Sequence, residues 1–93
     1  MNYTPVLLFV YNRPSHTQRC VEALLNNSLA SESELFIYSD AAKDVTQQKA
    51  VNEVRKFIHS IDGFKHITLI ERTENWGLAR NIIDGVTMQV NRF

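Results

Sequence analysis

Three short apolar runs constrain what this chain can fold into, and the first constrains it most. Val6-Leu7-Leu8-Phe9-Val10 lies between Pro5 and the polar tip Tyr11-Asn12-Arg13-Pro14. Such a run is too short for a helix and lacks the alternation of a half-exposed strand. Rich in β-branched and aromatic residues, it predicts a strand buried on both faces of a parallel sheet. The tip then emerges at the strand's carboxyl end, where open α/β sheets bind ligands.

The pattern recurs. Leu35-Phe36-Ile37-Tyr38 stops at Ser39-Asp40, and a third strand from His66 to Arg72, carried by Ile67, Leu69 and Ile70, stops at Glu71 to Asn75. Helical spacing fills the intervals. The first helix opens at Pro14-Ser15, with Ser15 as N-cap and Gln18 completing a capping box. Its stripe is Val21, Leu24 and Leu25, with Cys20 beside it, and Asn26-Asn27-Ser28 ends it. The second opens at Asp44, with Gln47 at the capping-box position. It buries Ala50, Val51, Val54, Phe57, Ile58 and Ile61, and stops at Asp62-Gly63, with Gly63 suited to the left-handed C′ position. Trp76-Gly77 turns into the third helix, whose apolar stripe is Leu78, Ile82, Ile83, Val86 and Val90. Gly85 weakens that helix by about 1 kcal/mol relative to alanine, and close packing is one reason to place a glycine there. The order β-α-β-α-β-α predicts an α/β fold, a three-layer Rossmann-like half with a parallel sheet. The crossovers are right-handed and the second strand lies between the first and third.

Ninety-three residues make one small domain or part of a larger one. At this size about 60–65% of the unfolded chain's surface is buried, so the core is modest. A formal net charge of zero argues against a nucleic-acid binder relying on a large positive field. Cys20 is the single cysteine, which excludes an internal disulfide and suggests an intracellular, cytoplasmic protein. No apolar run approaches the ~18–20 residues of a transmembrane segment, and the N-terminus lacks the pattern of a signal peptide.

Three polar tips thus converge on one sheet edge, beside helix N-termini at Ser15, Asp44 and Leu78 that favour anions. Arg13 offers a cationic fork suited to phosphate, Asp40 an acceptor for a base imide or ribose hydroxyls, and Tyr11 an aromatic face. A nucleotide held by side chains fits. No G-x-G-x-x-G follows the first strand and no P-loop occurs, so a dinucleotide dehydrogenase or P-loop NTPase is disfavoured. Plainer roles stand beside these: a surface ion pair for Arg13, loop capping for Asp40, packing for Trp76 and Cys20. Lys49, Glu53, Arg55 and Lys56 read as a solvated helix face. His16, His59 and His66 are scattered without metal-ligand spacing.

The stretch from Pro5 to Pro14, followed by Gln18-Arg19-Cys20-Val21-Glu22-Ala23-Leu24-Leu25, resembles the start of the GT-A glycosyltransferases. The similarity is nearest the N-acetylglucosaminyltransferase I-like branch and related bacterial family-2-like sugar transferases. Ile37-Tyr38-Ser39-Asp40 resembles the family's second strand, and Glu71 to Asn81 the segment leading into the helix before the metal motif. The resemblance implies half of a GT-A fold and transfer of a sugar from a nucleotide diphosphate sugar, usually UDP-linked, to an acceptor hydroxyl. It implies a nucleotide-binding set of Tyr11, Asn12, Arg13, Asp40, Arg80 and Asn81. Arg13 is then near the nucleotide, Asp40 on the base, and Arg80 and Asn81 toward the sugar diphosphate. The family's D-x-D or E-D-D motif, which would hold Mn or Mg, falls after residue 93. Residues 1–93 are therefore expected to be the donor-binding subdomain of a sugar transferase, truncated before the metal motif. Alone they are expected to have no cofactor and to be inactive. The alternative is a non-catalytic α/β module that forms homo-oligomers through an open edge of the first strand. A receiver-like or flavodoxin-like domain fits less well, because its acidic cluster and later strands are missing.

Overall fold

The structure is a computed structural model that describes residues 5–27 and 30–92, with side chains described up to residue 88. The order is β1 (Val6–Val10), α1 (Pro14–Leu25), β2 (Glu34–Ser39), α2 (Gln48–Ile58), β3 (His66–Glu71) and α3 (Leu78–Arg92). The three strands form one parallel sheet in the order β1-β2-β3. The register aligns Leu8, Ile37 and Leu69 across the sheet, and next to them Phe9, Tyr38 and Ile70. This is the α/β half-fold that the alternation of runs predicts.

Strand alternation sends these two rows to opposite faces. Val10, Leu35 and Ile37 meet Val54 and Ile58 of α2, with Leu24 of α1 and Phe57 around them. On the other face Phe9 stacks on Tyr38 at a centroid distance of 5.3 Å, worth about 0.5–1.5 kcal/mol beyond burial. There α3 approaches closely enough that a Cβ on Gly85 would lie 3.1 Å from Phe9 Cε1 and 3.2 Å from Tyr38 Cε1.

Several expectations change. β2, not β1, is the strand buried on both faces: Leu35 to Tyr38 are all buried, whereas in β1 only Val10 is. The reason is position, since among the described residues β1 pairs on one side only. Helix α1 begins at Pro14, whose fixed φ suits the first helical position. Arg13 occupies the N-cap position and no side chain caps the end, so Ser15 is not the cap. Gln18 reaches forward to Glu22 at 3.3 Å. Asp44 does cap, but its helical turn is a short 3₁₀ segment, Val45–Gln47, that precedes α2. The Gln47 side chain bonds Asn12 instead of completing a capping box. Helix α2 ends at Ile58, short of Ile61, although Ile61 still packs on the core. Gly63 has the expected positive φ of 95° but lies beyond the helix end.

The largest correction concerns α3. Its expected apolar stripe is turned outward, with Leu78 66% and Ile83 67% exposed and Ile82 and Val86 also exposed. Asn81 and Gly85, one turn apart, face inward instead. A side-chain-free surface at Gly85 lets the helix lie against the Phe9 and Tyr38 rings, and Asn81 then faces the sheet as well. Val90 lies beyond the described side chains, and Ser28 outside the described residues.

Candidate functional site

A cleft of about 520 Å³ opens at the carboxyl ends of the strands. Phe9, Val10, Tyr38 and Leu78 give it apolar surface, while Tyr11, Asn12, Arg13, Asp40 and Asn81 bring polar groups to it. Five of the six residues singled out from sequence therefore share one cavity. Arg80 is set apart: its guanidinium carbon lies 3.9 Å from the centre of the Trp76 ring.

The tip of β1 is tied to the loop after β2. The Tyr11 hydroxyl accepts from the Lys43 main-chain N–H at 3.0 Å, and the Asn12 amide donates to Gln47 Oε1. These contacts stand Arg13 at the mouth of the cleft, exposed, at the start of α1. Among the described residues its guanidinium has neither a hydrogen bond nor an ion pair, so the alternative of a surface ion pair is not realised. Lys43 and His16 line the same cavity.

Asp40 joins the strand tips. Its Oδ1 accepts from Ala41 N at 2.9 Å and Trp76 N at 2.8 Å. Its Oδ2 accepts from Gly77 N at 2.8 Å and Asn75 Nδ2 at 3.2 Å. Four donors match the lone-pair sites of an ionised carboxylate. The residue is only 6% exposed, so it holds the β3–α3 loop against β2. Loop capping is thus realised, and contact with a base has to share the same oxygens. Gly77, with φ at 81°, lets the backbone turn its N–H toward that carboxylate.

Of the three helix starts, two already have a carboxylate. Asp40 sits before α3. Asp44 accepts from Thr46 N at 3.0 Å and from the Thr46 hydroxyl. The Thr46 hydroxyl chiefly, against an opposing desolvation and with main-chain N–H groups and Lys43 adding, holds the Asp44 carboxyl below its ordinary value of 3.8. The start of α1, beside Arg13, has no side-chain cap and no carboxylate on it. That end of the cleft is the one suited to an anion.

Two arginines that sequence reasoning passed over brace the site. Arg55 is not on a solvated face. It donates to Ser39 Oγ at 3.0 Å, Ser39 O at 3.1 Å and Arg72 O at 2.8 Å, joining the ends of β2 and β3. Arg72 donates to Asn81 Oδ1 at 2.9 Å and Asp84 Oδ2 at 2.6 Å, and lies 3.7 Å from the Trp76 ring centre. Asn81 Nδ2 in turn donates to Gly77 O at 2.9 Å. Local spacing did not mark Arg55, whose partners are at the strand ends, and although Arg72 stood in the third polar tip its partners Asn81 and Asp84 lie on α3. Asn75, Lys43 and His16 were also missed as cleft residues. For Asn75 the signal was present, since it sits at a strand tip before a glycine and a helix. Cys20 is partly buried, with Sγ 3.6 Å from His16 Nε2.

No helix among the described residues is long and apolar enough to cross a membrane. No curated protein and no solved structure matches the chain. A family model described as Glycosyl transferase family 2 matches residues 6–89. The chain belongs to glycosyl transferase family 2, and its parallel α/β unit is consistent with the Rossmann-like half of a GT-A fold.

Proposed function

We propose that the cleft binds the nucleotide diphosphate portion of a sugar donor, UDP-linked, for transfer of the sugar to an acceptor hydroxyl. The observation that carries this reading is the free Arg13 guanidinium beside the uncapped start of α1, at the mouth of a cleft with apolar walls. A diphosphate there meets a cationic fork and unpaired main-chain N–H groups, with Lys43 adding charge. The base lies deeper, toward Tyr11 and Asp40, where its imide N–H donates to the carboxylate. Asn12 holds the β1 tip, and Asn81 fixes the floor toward the sugar diphosphate. Arg80 reaches the donor only by leaving Trp76. The sequence from Pro5 to Pro14 supports placing the chain near the N-acetylglucosaminyltransferase I-like branch.

The resemblance also implies a divalent cation at the diphosphate. Among the described residues no group of three or more His, Cys, Asp or Glu side chains gathers to hold one, so the residues present do not fit it. We assign to this chain the binding and orientation of the donor.

Calorimetry with millimolar UDP tests the reading. Binding is expected to be weak, to weaken further with salt, and to fall about tenfold in Arg13→Ala, the loss of one exposed charge-assisted hydrogen bond. No heat with UDP, or equal affinity in Arg13→Ala, refutes it. A second reading, a module that pairs with a second copy, is favoured by the edge of β1 that no strand covers among the described residues. It would take over if UDP failed to bind and light scattering gave a dimer.

A further inference from the structure

The Asp40 carboxylate is fully engaged, yet a bound base needs one of its oxygens. Its four donors are not equivalent. Three are main-chain groups, Ala41 N, Trp76 N and Gly77 N, at 2.9, 2.8 and 2.8 Å. None of them can leave without moving the backbone. The fourth, Asn75 Nδ2, is the longest at 3.2 Å and belongs to an exposed side chain on the wall of the cleft. The same amide nitrogen also donates to Ala41 O at 2.9 Å. One side-chain amide thus fills two acceptors at the place where a ligand would seek them.

We infer that Asn75 is a placeholder for the nucleotide base. This rests on the donor-binding reading above. In the empty cleft its amide satisfies Asp40 Oδ2. On binding, the imide N–H of the base replaces the amide N–H on that oxygen, and the Asn75 side chain swings out. Rotation about its own side-chain torsions is sufficient. On Asp40 Oδ2 the exchange is like for like, one N–H donor for another, so the almost buried carboxylate keeps a full set of partners, while Ala41 O gives up its bond to the amide. It also sets a selection rule. Cytosine presents a lone pair at N3 where uracil presents N–H, and a lone pair cannot replace the departing donor.

The placeholder competes with the ligand, so its removal should tighten binding. UDP is titrated by calorimetry into the unchanged protein, Asn75→Ala and Arg13→Ala. The expected result is about three- to tenfold tighter UDP binding by Asn75→Ala, the range of one net hydrogen bond. A purely loop-holding role for Asn75 gives the opposite sign. Equal or weaker binding by Asn75→Ala, with Arg13→Ala weakened as expected, overturns this inference and leaves the donor-binding reading standing. Absence of UDP binding to the unchanged protein overturns both. Should Asn75→Ala not fold, the side-chain amide of Asn75 is followed by ¹⁵N NMR in the unchanged protein. Saturation with UDP is expected to speed its exchange with water, and an unmoved, equally protected resonance overturns the inference.

Discussion

Replacing Asp40 by asparagine changes no more than one atom for an isoelectronic group, yet it should be among the more damaging substitutions in this chain. The carboxylate presents two oxygens, each between two donors. An amide presents one oxygen and one NH₂. Whichever way it turns, the NH₂ faces a pair of donors: Ala41 N and Trp76 N, or Gly77 N and the Asn75 amide. Two hydrogen bonds are lost, and the two that remain go to a neutral acceptor in place of a charged one. Each lost bond is worth roughly 1–1.5 kcal/mol net, and the loop is open enough for water to recover part of it. The expected cost is about 2–3 kcal/mol. A domain of this length has a stability on the order of 5–14 kcal/mol, so the melting temperature should fall by about 10–20 °C. Urea unfolding followed by the fluorescence of Trp76, the single tryptophan, measures this directly. The midpoint should drop with the slope unchanged, because the surface exposed on unfolding is unchanged. Asp40→Ala, which removes all four bonds but admits water, should cost at least as much. A stability of Asp40→Asn within about 0.5 kcal/mol of the parent, the range of an ordinary surface change, would refute the assignment of Asp40 as the residue that holds the β3–α3 loop.

Two further perturbations follow from local geometry. Gly85→Val should destabilise by about 2–3 kcal/mol by overpacking the Phe9 and Tyr38 rings. Gly85→Ala should stay within about 1 kcal/mol, its gain in helix propensity offsetting the squeeze; denaturant midpoints for both variants check this. The lowered pKa of Asp44 means that its ionised form is favoured by the fold. Its contribution is therefore present above the ordinary carboxylate value of 3.8 and lost as the pH falls through the lower, folded value. Asp44→Asn keeps a capping oxygen without titrating, and should show a shallower loss of stability in acid than the parent in pH-dependent melting.

The class of fold and the place of the cleft were legible because both follow from patterns one element long. An apolar run that stops at a polar tip is visible in Val6 to Arg13, in Leu35 to Asp40 and in Ile67 to Asn75, and the alternation with helices orders the sheet. What each tip does was less legible, because it depends on partners far along the chain. Asp40 offered two readings in sequence, and its partners lie at residues 75–77. Arg55 falls on the polar side of its helix by periodicity, but its guanidinium reaches main-chain oxygens of two strands. The inward face of α3 was misread for a similar reason. Apolar spacing at Leu78, Ile82 and Val86 normally marks the buried stripe, but at Gly85 the deciding quantity is how near two aromatic rings can come to a backbone, which no periodicity records. Ser15 lost its capping place to a simpler local rule, the preference of proline for the first helical position.

Arg55 lies on the opposite side of the sheet from α3 and contributes nothing to the wall of the cleft, yet it ties the ends of two strands together from behind. Its consequence is thermodynamic. Loops that must be ordered when a ligand arrives subtract their lost freedom from the affinity; strand ends already bridged by one guanidinium have little freedom left to lose. The cleft is in this respect preorganised, by a residue that forms no part of its wall.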